Sequence, residues 1–244
     1  MLLGASALQA QKGLKVGAYA LPQAVFLYNA DDLALDNDVW QPELLWGMSG
    51  ALVLGYNFND YIGVRVDAIY SQQGGAYSVP RDFDNQTTYV TRLNYMKLPL
   101  LLGMNTNPAR KYSFSLYGGV QLDLLASALD YTDYPVFQLP AAANISELPS
   151  TRDLYEPLTY SFVGEMGLDI RLPPENLVLN LHLRGDYGLV DAENKDATIR
   201  VTQNGTTTRQ AYWPLVRGAT RNADTFGLTA GLKIGLTYTF GPAL

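Results

Sequence analysis

The sequence predicts an all-β fold, an eight-stranded antiparallel up-and-down transmembrane β-barrel with a filled polar lumen. Three observations support this prediction: segments in which apolar and polar residues alternate, an even number of such segments, and connections that are alternately short and long. A period of two is typical of a β-strand with one apolar face. Each segment reaches about 9–11 residues, the length that crosses a bilayer when the strand is tilted.

The first three strands are predicted in the N-terminal third of the chain. Alternation over Leu14–Tyr28 is the least regular, because Pro22 interrupts it. Leu44–Phe58 and Tyr61–Gln72 alternate clearly, with large apolar residues in one phase and mostly small or polar residues in the other. Each of these segments is therefore expected to have one apolar face.

Four strands follow in the middle of the chain. The phase of Thr88–Leu102 is unclear, and Pro99 within it predicts a bulge or an irregular ladder. Tyr112–Ala126, Leu158–Leu172 and Leu177–Tyr187 alternate with apolar residues in one phase. The polar phase of the last two segments carries several charged residues.

The eighth strand, Thr225–Phe240, gives the clearest signal. Every second residue from Phe226 to Phe240 is apolar, and every residue between them is small or polar. In a chain with 48% hydrophobic residues, this pattern arises at a given start with a chance of roughly 10⁻⁵. The strand therefore has one continuous apolar face.

The connections indicate which end of the barrel faces which compartment. Short connections follow the second, fourth and sixth strands, and long connections follow the first, third, fifth and seventh. In an up-and-down barrel, each set shares one end. Outer-membrane barrels have short periplasmic turns and long extracellular loops. We therefore expect the chain in a bacterial outer membrane, surrounded by outer-membrane lipid.

Composition excludes several classes of protein. The net charge is −6, which disfavours a nucleic-acid partner. Cysteine is absent, which excludes disulfides and thiolate metal sites. No run of about 18 apolar residues occurs, which excludes a helical membrane span. Residues 1–10 resemble the end of a secretory signal peptide, and residues 11–244 are predicted to form the barrel domain.

The composition of the polar face decides which face lies inside. A soluble barrel of the lipocalin type also alternates, but it places apolar residues inside and solvated charges outside. Here the polar face is mostly Gly, Ser, Thr and Asn with few charges, as the crowded lumen of an eight-stranded barrel requires. We predict a lumenal charge network with five basic and five acidic side chains and one histidine: Arg65, Asp67, Arg92, Asp123, Glu165, Asp169, Arg171, His182, Arg184, Asp186 and Lys233.

Aromatic residues form two further groups. The first lies toward the strand ends on the apolar face and is typical of a membrane aromatic girdle: Tyr56, Phe58, Tyr70, Tyr112, Tyr160, Tyr187, Tyr238 and Phe240. The second lies on the third and fourth long loops: Tyr131, Tyr134, Phe137, Tyr155, Tyr212 and Trp213. The loop group is expected either to contact a partner or glycan, or to pack together and cap the barrel.

The candidates for chemistry are few, and a structural role is the expectation for each. His182 is the only histidine, and its phase places it in the lumen as a member of a buried network. Glu165 and Asp169 share a phase and would serve as salt-bridge partners rather than as an acid–base pair or metal site. The acidic residues 31–38 do not match an EF-hand loop, although weak calcium binding is an alternative. No catalytic residue, metal or cofactor is predicted.

Three segments resemble a known family. Tyr95–Asn105, His182–Asp191 and the closing strand are similar to the corresponding segments of the PorT-like outer-membrane β-barrels of Bacteroidetes. This resemblance implies an outer-membrane protein folded by the barrel assembly machinery. The founding member of that family is linked to the type IX secretion and gliding apparatus, so the resemblance also implies a role in such an assembly.

Three functions follow as hypotheses. The first is a non-enzymatic structural or interaction subunit of a cell-envelope or secretion assembly of the type IX kind, with protein partners. The second is a membrane enzyme that acts on lipid or peptide at the rim. The third is a narrow channel or a binding site for a small ligand. The filled lumen argues against diffusion of the porin kind.

Overall fold

The structure, a computed structural model, describes residues 13–30, 41–59, 61–81, 85–106, 110–131, 144–147, 150–173, 176–203, 206–211 and 223–240. Eight long strands form the barrel: β1 (Gly13–Asn29), β2 (Leu45–Asn57), β3 (Ile62–Arg81), β4 (Asn85–Asn105), β5 (Tyr112–Tyr131), β6 (Leu158–Leu172), β7 (Leu177–Gly188) and β8 (Thr225–Phe240). Each strand pairs antiparallel with the next, and β1 pairs with β8. The sheet is therefore closed, and the predicted fold is confirmed.

Three strands are longer than the sequence indicated. β3 continues to Arg81 rather than Gln72, β4 begins at Asn85 rather than Thr88, and β5 continues to Tyr131. The β3–β4 ladder remains in register up to the pair of Arg81 and Asn85. The extensions lie at the end with the long connections, so one side of the barrel rises well beyond the other strands.

The long connections contain short elements of their own. Gln41–Glu43 pairs with the extension of β3. Thr198–Gln203 and Thr206–Ala211 form a hairpin that pairs with Asn144–Glu147 in a separate three-stranded sheet. A 3₁₀ helix over Thr151–Leu154 precedes β6. All of these segments lie in connections that were predicted to be loops.

The apolar face of the barrel points outward. Leu52 is 69% exposed and Leu232 is 44% exposed, whereas the neighbouring Lys233 is 1% exposed. The soluble alternative with leucines inside is therefore wrong. No helix among the described residues is long and apolar enough to cross a membrane.

The predicted girdle residues lie on this outward face, and all except Tyr70, which is near the middle of the extended β3, lie toward the strand ends. At the end with the short turns, Tyr56 and Phe58 meet edge to face with ring centroids 5.6 Å apart, and Tyr238 and Phe240 do the same at 5.0 Å. Interfacial aromatic rings of this kind are typical of membrane barrels.

The irregular ladder predicted at Pro99 is present on the β3 side, whereas the bulge in this region lies elsewhere. Pro99 pairs with Gln121 in an unbroken part of the β4–β5 ladder, and its missing N–H falls on the side of β3, where the pairing is interrupted opposite Asp67 and Ala68. The register shift lies between Asn94 and Tyr95, opposite Ser127 and Leu125. Ala126 is therefore the extra residue of a bulge in β5.

Candidate functional site: the filled lumen and its two ends

Glu165 on β6 is the centre of the lumenal network. Its carboxylate accepts two parallel hydrogen bonds from Arg65 Nη1 and Nη2, at 3.0 and 2.5 Å. Lys233 Nζ donates to Oε1 at 2.7 Å, and His182 Nδ1 lies 2.6 Å from the same oxygen. All four side chains are almost completely buried. A buried carboxylate requires such partners, because an unpaired charge inside the barrel would destabilise the fold by roughly several kcal/mol.

A second layer is built around Asp186 on β7. Lys97 Nζ donates to its Oδ2 at 2.7 Å, and Arg184 Nε donates to its Oδ1 at 3.1 Å. Arg184 also donates to Gln121 Oε1 at 2.6 Å, and Gln121 in turn donates to Asp123 at 2.6 Å. The layer therefore connects strands β4, β5 and β7 across the lumen.

Asp67 joins the two layers. Arg65 Nε lies 3.0 Å from Asp67 Oδ1, in an ion pair whose angle is too poor for a hydrogen bond. Tyr19 donates its hydroxyl to Asp67 Oδ2 at 3.2 Å, and Arg184 Nη1 lies 3.7 Å from the same oxygen. Cross-links in several directions hold these side chains in single positions.

His182 stands between two carboxylates. Its Nδ1 contacts Glu165, and its Nε2 lies 2.9 Å from Asp169 Oδ1. The ring stacks on Tyr117, with centroids 6.0 Å apart. A neutral imidazole has one N–H, so two contacts to carboxylates require one additional proton, carried by the ring or by one of the acids. His182 is thus a member of the charge network.

The charges in the described part of the lumen balance when that proton is counted. Among the described residues, five carboxylates are buried on the inward face of the barrel strands, on Asp67, Asp123, Glu165, Asp169 and Asp186. Four basic side chains are buried with them, on Arg65, Lys97, Arg184 and Lys233. The protonated pair around His182 supplies the fifth positive charge. Four of these carboxylates have an ion-pair partner, and Asp123 accepts hydrogen bonds from Gln121 and Ser161 instead.

The structure places nine of the eleven predicted lumenal residues inside the barrel and buried, all except Arg92 and Arg171. Arg171 has the inward phase of β6 but is only half-buried, at the end with the short turns. The prediction that Arg92 lies in the lumen is wrong. It pairs with Leu129, which is 49% exposed, so Arg92 lies on the outward face.

Lys97 is the functional residue that the sequence analysis missed. It is 1% exposed and binds Asp186. The signal for it was the run Met96, Leu98, Leu100 and Leu102, whose alternation puts Lys97 on the inward phase. The phase of this strand was unclear from the sequence, and Arg92, which has the opposite phase to Lys97, was placed in the lumen instead.

An apolar plug closes the lumen at the end with the long connections. It consists of Leu27, Leu93, Tyr95, Leu125, Leu154, Tyr155 and Ala197. Leu154 and Tyr155 come from the 3₁₀ helix and the residue after it, and each is 4% exposed. Ser150 starts this helix by donating its N–H and hydroxyl to the Asp153 carboxylate.

Of the two roles predicted for the loop aromatics, Tyr155 has the second. It packs into the plug and caps the barrel. The side chain of Tyr131 and the whole of Tyr134, Phe137, Tyr212 and Trp213 lie outside the described residues. The segment 1–10 and the acidic residues 31–38 also lie outside them. Within the described ranges, no group of three or more His, Asp or Glu side chains is arranged to hold a metal ion.

The family follows from a comparison with known proteins. Residues 23–194, well over half of the chain, match the family described as outer membrane protein beta-barrel domain. The chain belongs to this family. It is therefore a protein of the bacterial outer membrane, as the outward apolar face already indicated. No curated protein sequence matches the chain.

Several solved outer-membrane structures are similar to this barrel. Neisserial surface protein A is 13% identical with a TM-score of 0.43, over 93% of this chain and 97% of that one. OprG from Pseudomonas aeruginosa is 13% identical with a TM-score of 0.42, over 95% and 97%. Outer Membrane Protein W of E. coli is 14% identical with a TM-score of 0.34, over 94% and 99%.

Proposed function

We propose that this outer-membrane barrel is a non-enzymatic scaffold that binds protein partners in a cell-envelope assembly. The observation that supports it is the filled lumen, which leaves the extracellular surface as the part available for function. Two separate groups of side chains obstruct the interior: the charge network around Glu165 and Asp186, and the plug around Tyr155. Transport through the barrel is therefore not its proposed role.

The surface proposed for binding partners is the part of β3 and β4 that extends beyond the membrane, together with the short elements of the long connections. β3 has 20 residues, which span about 65 Å along the strand and about 50 Å of height at a tilt near 40°. The apolar band of an outer-membrane barrel is only about 25 Å tall. The β3–β4 hairpin therefore extends well into the extracellular space, and the sheet that contains Thr198–Gln203 belongs to the long connections at the same end.

The non-enzymatic part of the proposal is supported by the arrangement of the polar groups. A serine nucleophile needs its hydroxyl on an imidazole nitrogen. In the described lumen, Ser115 donates to the Asp169 carboxylate instead, and both nitrogens of His182 contact carboxylates. The imidazole therefore has no nitrogen available to accept a proton from a nucleophile.

A place in a secretion assembly of the type IX kind is the most specific form of the proposal. It is supported by the resemblance of Tyr95–Asn105, His182–Asp191 and the closing strand to PorT-like barrels. That resemblance concerns residues of the barrel wall, so the proposal needs a biochemical test.

The test is affinity purification from the native host in a mild detergent, followed by mass spectrometry. We expect a defined set of envelope proteins with the wild type. The set should be lost when residues 198–211 are replaced by a short Gly-Ser linker, and it should be kept in a Leu52→Ala control on the membrane face. A barrel that purifies alone under cross-linking conditions would contradict the proposal. So would single-channel conductance of the purified wild type in a planar bilayer.

A further inference from the structure

His182 occupies a notch that a glycine leaves in the inner wall of the barrel. On β6, Glu165, Gly167 and Asp169 have the inward phase in succession, and His182 on β7 pairs directly opposite Gly167. A Cβ at Gly167 would lie 2.5 Å from the ring carbon Cδ2 of His182. The imidazole therefore lies against the glycine, with one carboxylate on each side.

Both ring nitrogens are in use, one for each carboxylate. Nδ1 lies 2.6 Å from Glu165 Oε1, and Nε2 lies 2.9 Å from Asp169 Oδ1. A neutral imidazole has one N–H group and one lone pair. In that form, one nitrogen would direct its lone pair at a carboxylate oxygen inside the barrel, where repulsion between acceptors is costly. A ring with two N–H groups satisfies both contacts.

The donors around Asp169 favour its ionised form, so the additional proton belongs to the ring. Asn180 donates to Oδ1 at 2.5 Å, Asn105 donates to Oδ2 at 3.3 Å, and Ser115 also donates to Oδ2. Hydrogen bonds donated to a carboxylate stabilise the charged form. A carboxylate has about four acceptor positions, and an N–H of His182 completes this set.

The charges around the site also favour a positive ring. The other charged or titratable side chains near it are Arg65 and Asp67 of β3, Tyr117 of β5, Arg171 of β6, Arg184 of β7, Lys233 of β8, and Lys15 and Tyr19 of β1. Arg65 and Lys233 already pair with Glu165 and disfavour a further positive charge beside it. On the described barrel strands as a whole, however, five buried carboxylates face four buried basic side chains. An imidazolium completes the balance.

We propose that Glu165, His182 and Asp169 form a proton-binding site whose imidazole carries two N–H groups at neutral and mildly alkaline pH. Loss of the proton leaves the ring one N–H, so one of its two links from β7 to β6 is lost. Asp169 also lines a cavity of about 40 Å³ at the periplasmic end, together with the turn residue Asn59. The site exchanges its proton through this cavity, and the pH of the periplasm controls how firmly the two strands are joined. It does not depend on the surface proposed for binding partners.

The experiment uses the fact that the chain has one histidine. The full-length protein is labelled with ¹⁵N in the histidine ring, held in detergent micelles and titrated by NMR. An imidazolium gives two similar nitrogen shifts, whereas a neutral ring gives two widely different ones. A histidine of an unfolded chain loses its proton at about pH 6.5, and we expect the His182 imidazolium to persist at least about one pH unit above that. A ring already neutral at about pH 6.5 in the folded barrel would overturn the proposal.

Asp169→Asn should weaken proton binding by the ring about tenfold, which lowers the midpoint of the titration by about one pH unit. The matched control is Asp123→Asn, because Asp123 is an equally buried lumenal carboxylate that is bound by Gln121 and Ser161 instead of the histidine. That variant should leave the midpoint nearly unchanged. Equal midpoints for wild type and Asp169→Asn would contradict the site.

Stability provides a second measurement. Because the folded barrel holds a proton that the unfolded chain releases above about pH 6.5, the equilibrium constant of unfolding should rise with pH, by up to about tenfold per pH unit, until the ring is neutral. His182→Gln cannot carry this proton and should lack that part of the pH dependence. Urea titrations in vesicles between about pH 6.5 and 8.5 compare the two proteins. The same pH dependence in both would show that folding takes up no proton at this site.

Discussion

Single side chains in the lumen carry unequal shares of the stability, because each carboxylate has a different set of partners. Glu165 receives hydrogen bonds or contacts from Arg65, Lys233 and His182. Lys195, at the extracellular rim, pairs with Asp191 at 3.0 Å and with Asp224 at 2.5 Å but is 44% exposed. The hydrogen bond to Asp224 raises the pKa of Lys195, so this lysine is charged across the neutral range.

Glu165→Gln should reduce the free energy of unfolding by about 3–5 kcal/mol, because it leaves buried cations without their counter-charge. Lys195→Gln should change it by about 1 kcal/mol or less, as expected for an exposed pair. Urea unfolding of the protein in lipid vesicles, followed by tryptophan fluorescence, measures both. Equal effects of the two substitutions would contradict a network centred on Glu165.

The placement of Lys97 and Arg92 on opposite faces of β4 is a second prediction about single residues. Lys97→Met should cost about 3 kcal/mol or more, because Asp186 loses a buried partner. Arg92→Met should stay within about 0.5 kcal/mol, since Arg92 lies half-buried on the outward face. The same unfolding experiment compares them, and a larger loss for Arg92→Met would show that the phase of β4 is reversed.

At the level of the strands, small inward residues make room for the side chains of the network. A Cβ at Gly167 of β6 would overlap the backbone and ring of His182 on β7, whereas a Cβ at Gly164 would meet nothing within 4 Å. Gly164 faces outward on the same strand, so the two positions differ mainly in what they contact. The alternation of glycines along the strands is therefore a packing requirement of the filled lumen.

Gly167→Ala should destabilise the barrel by about 1–3 kcal/mol, because His182 and its strand must shift. Gly164→Ala should be neutral or slightly stabilising, by about 0.5 kcal/mol, because alanine loses less entropy in a strand. Thermal unfolding monitored by heat-dependent migration on gels distinguishes them. If both variants unfold alike, the close approach between Gly167 and His182 is not significant for stability.

Alternation predicted all eight strands because a bilayer on one side and a polar lumen on the other impose a period of two. The same reasoning explains the misses. In the extension of β3, Gly74, Gly75 and Ala76 are buried in succession, and Ala128 in the extension of β5 packs against the plug, so no period of two marks these segments. The bulge at Ala126 depends on the register between two strands, which the sequence of one strand cannot reveal. The plug unites Leu27 with Leu154, residues far apart in the chain.

For the molecule as a whole, the orientation of the apolar face determines where the protein is stable. On the surface of a soluble protein, lysine in place of an exposed leucine has little effect. In the middle of a bilayer it costs about 2–4 kcal/mol, and near the interface about 0–1 kcal/mol. Leu52, midway between Trp46 and Tyr56 on β2, and Leu44, before the strand begins, are both more than half exposed.

Leu52→Lys should therefore reduce the free energy of unfolding in vesicles by about 2–4 kcal/mol, and Leu44→Lys by about 0–1 kcal/mol. Refolding into vesicles and urea titration provide the values. Two similar small effects would mean that Leu52 does not face acyl chains, and the membrane placement of β2 would then be wrong.

The ladder between β1 and β8 has a consequence for biogenesis. Strands from opposite ends of the chain share a register from Leu14–Phe240 to Asn29–Thr225. Until β8 arrives, β1 presents an open row of N–H and C=O groups that attracts any other extended segment. Contacts this distant in the chain also form slowly. The newly made polypeptide is thus most prone to aggregation before β8 has paired. A chaperone that covers β1 during this period would determine the yield of folded barrel.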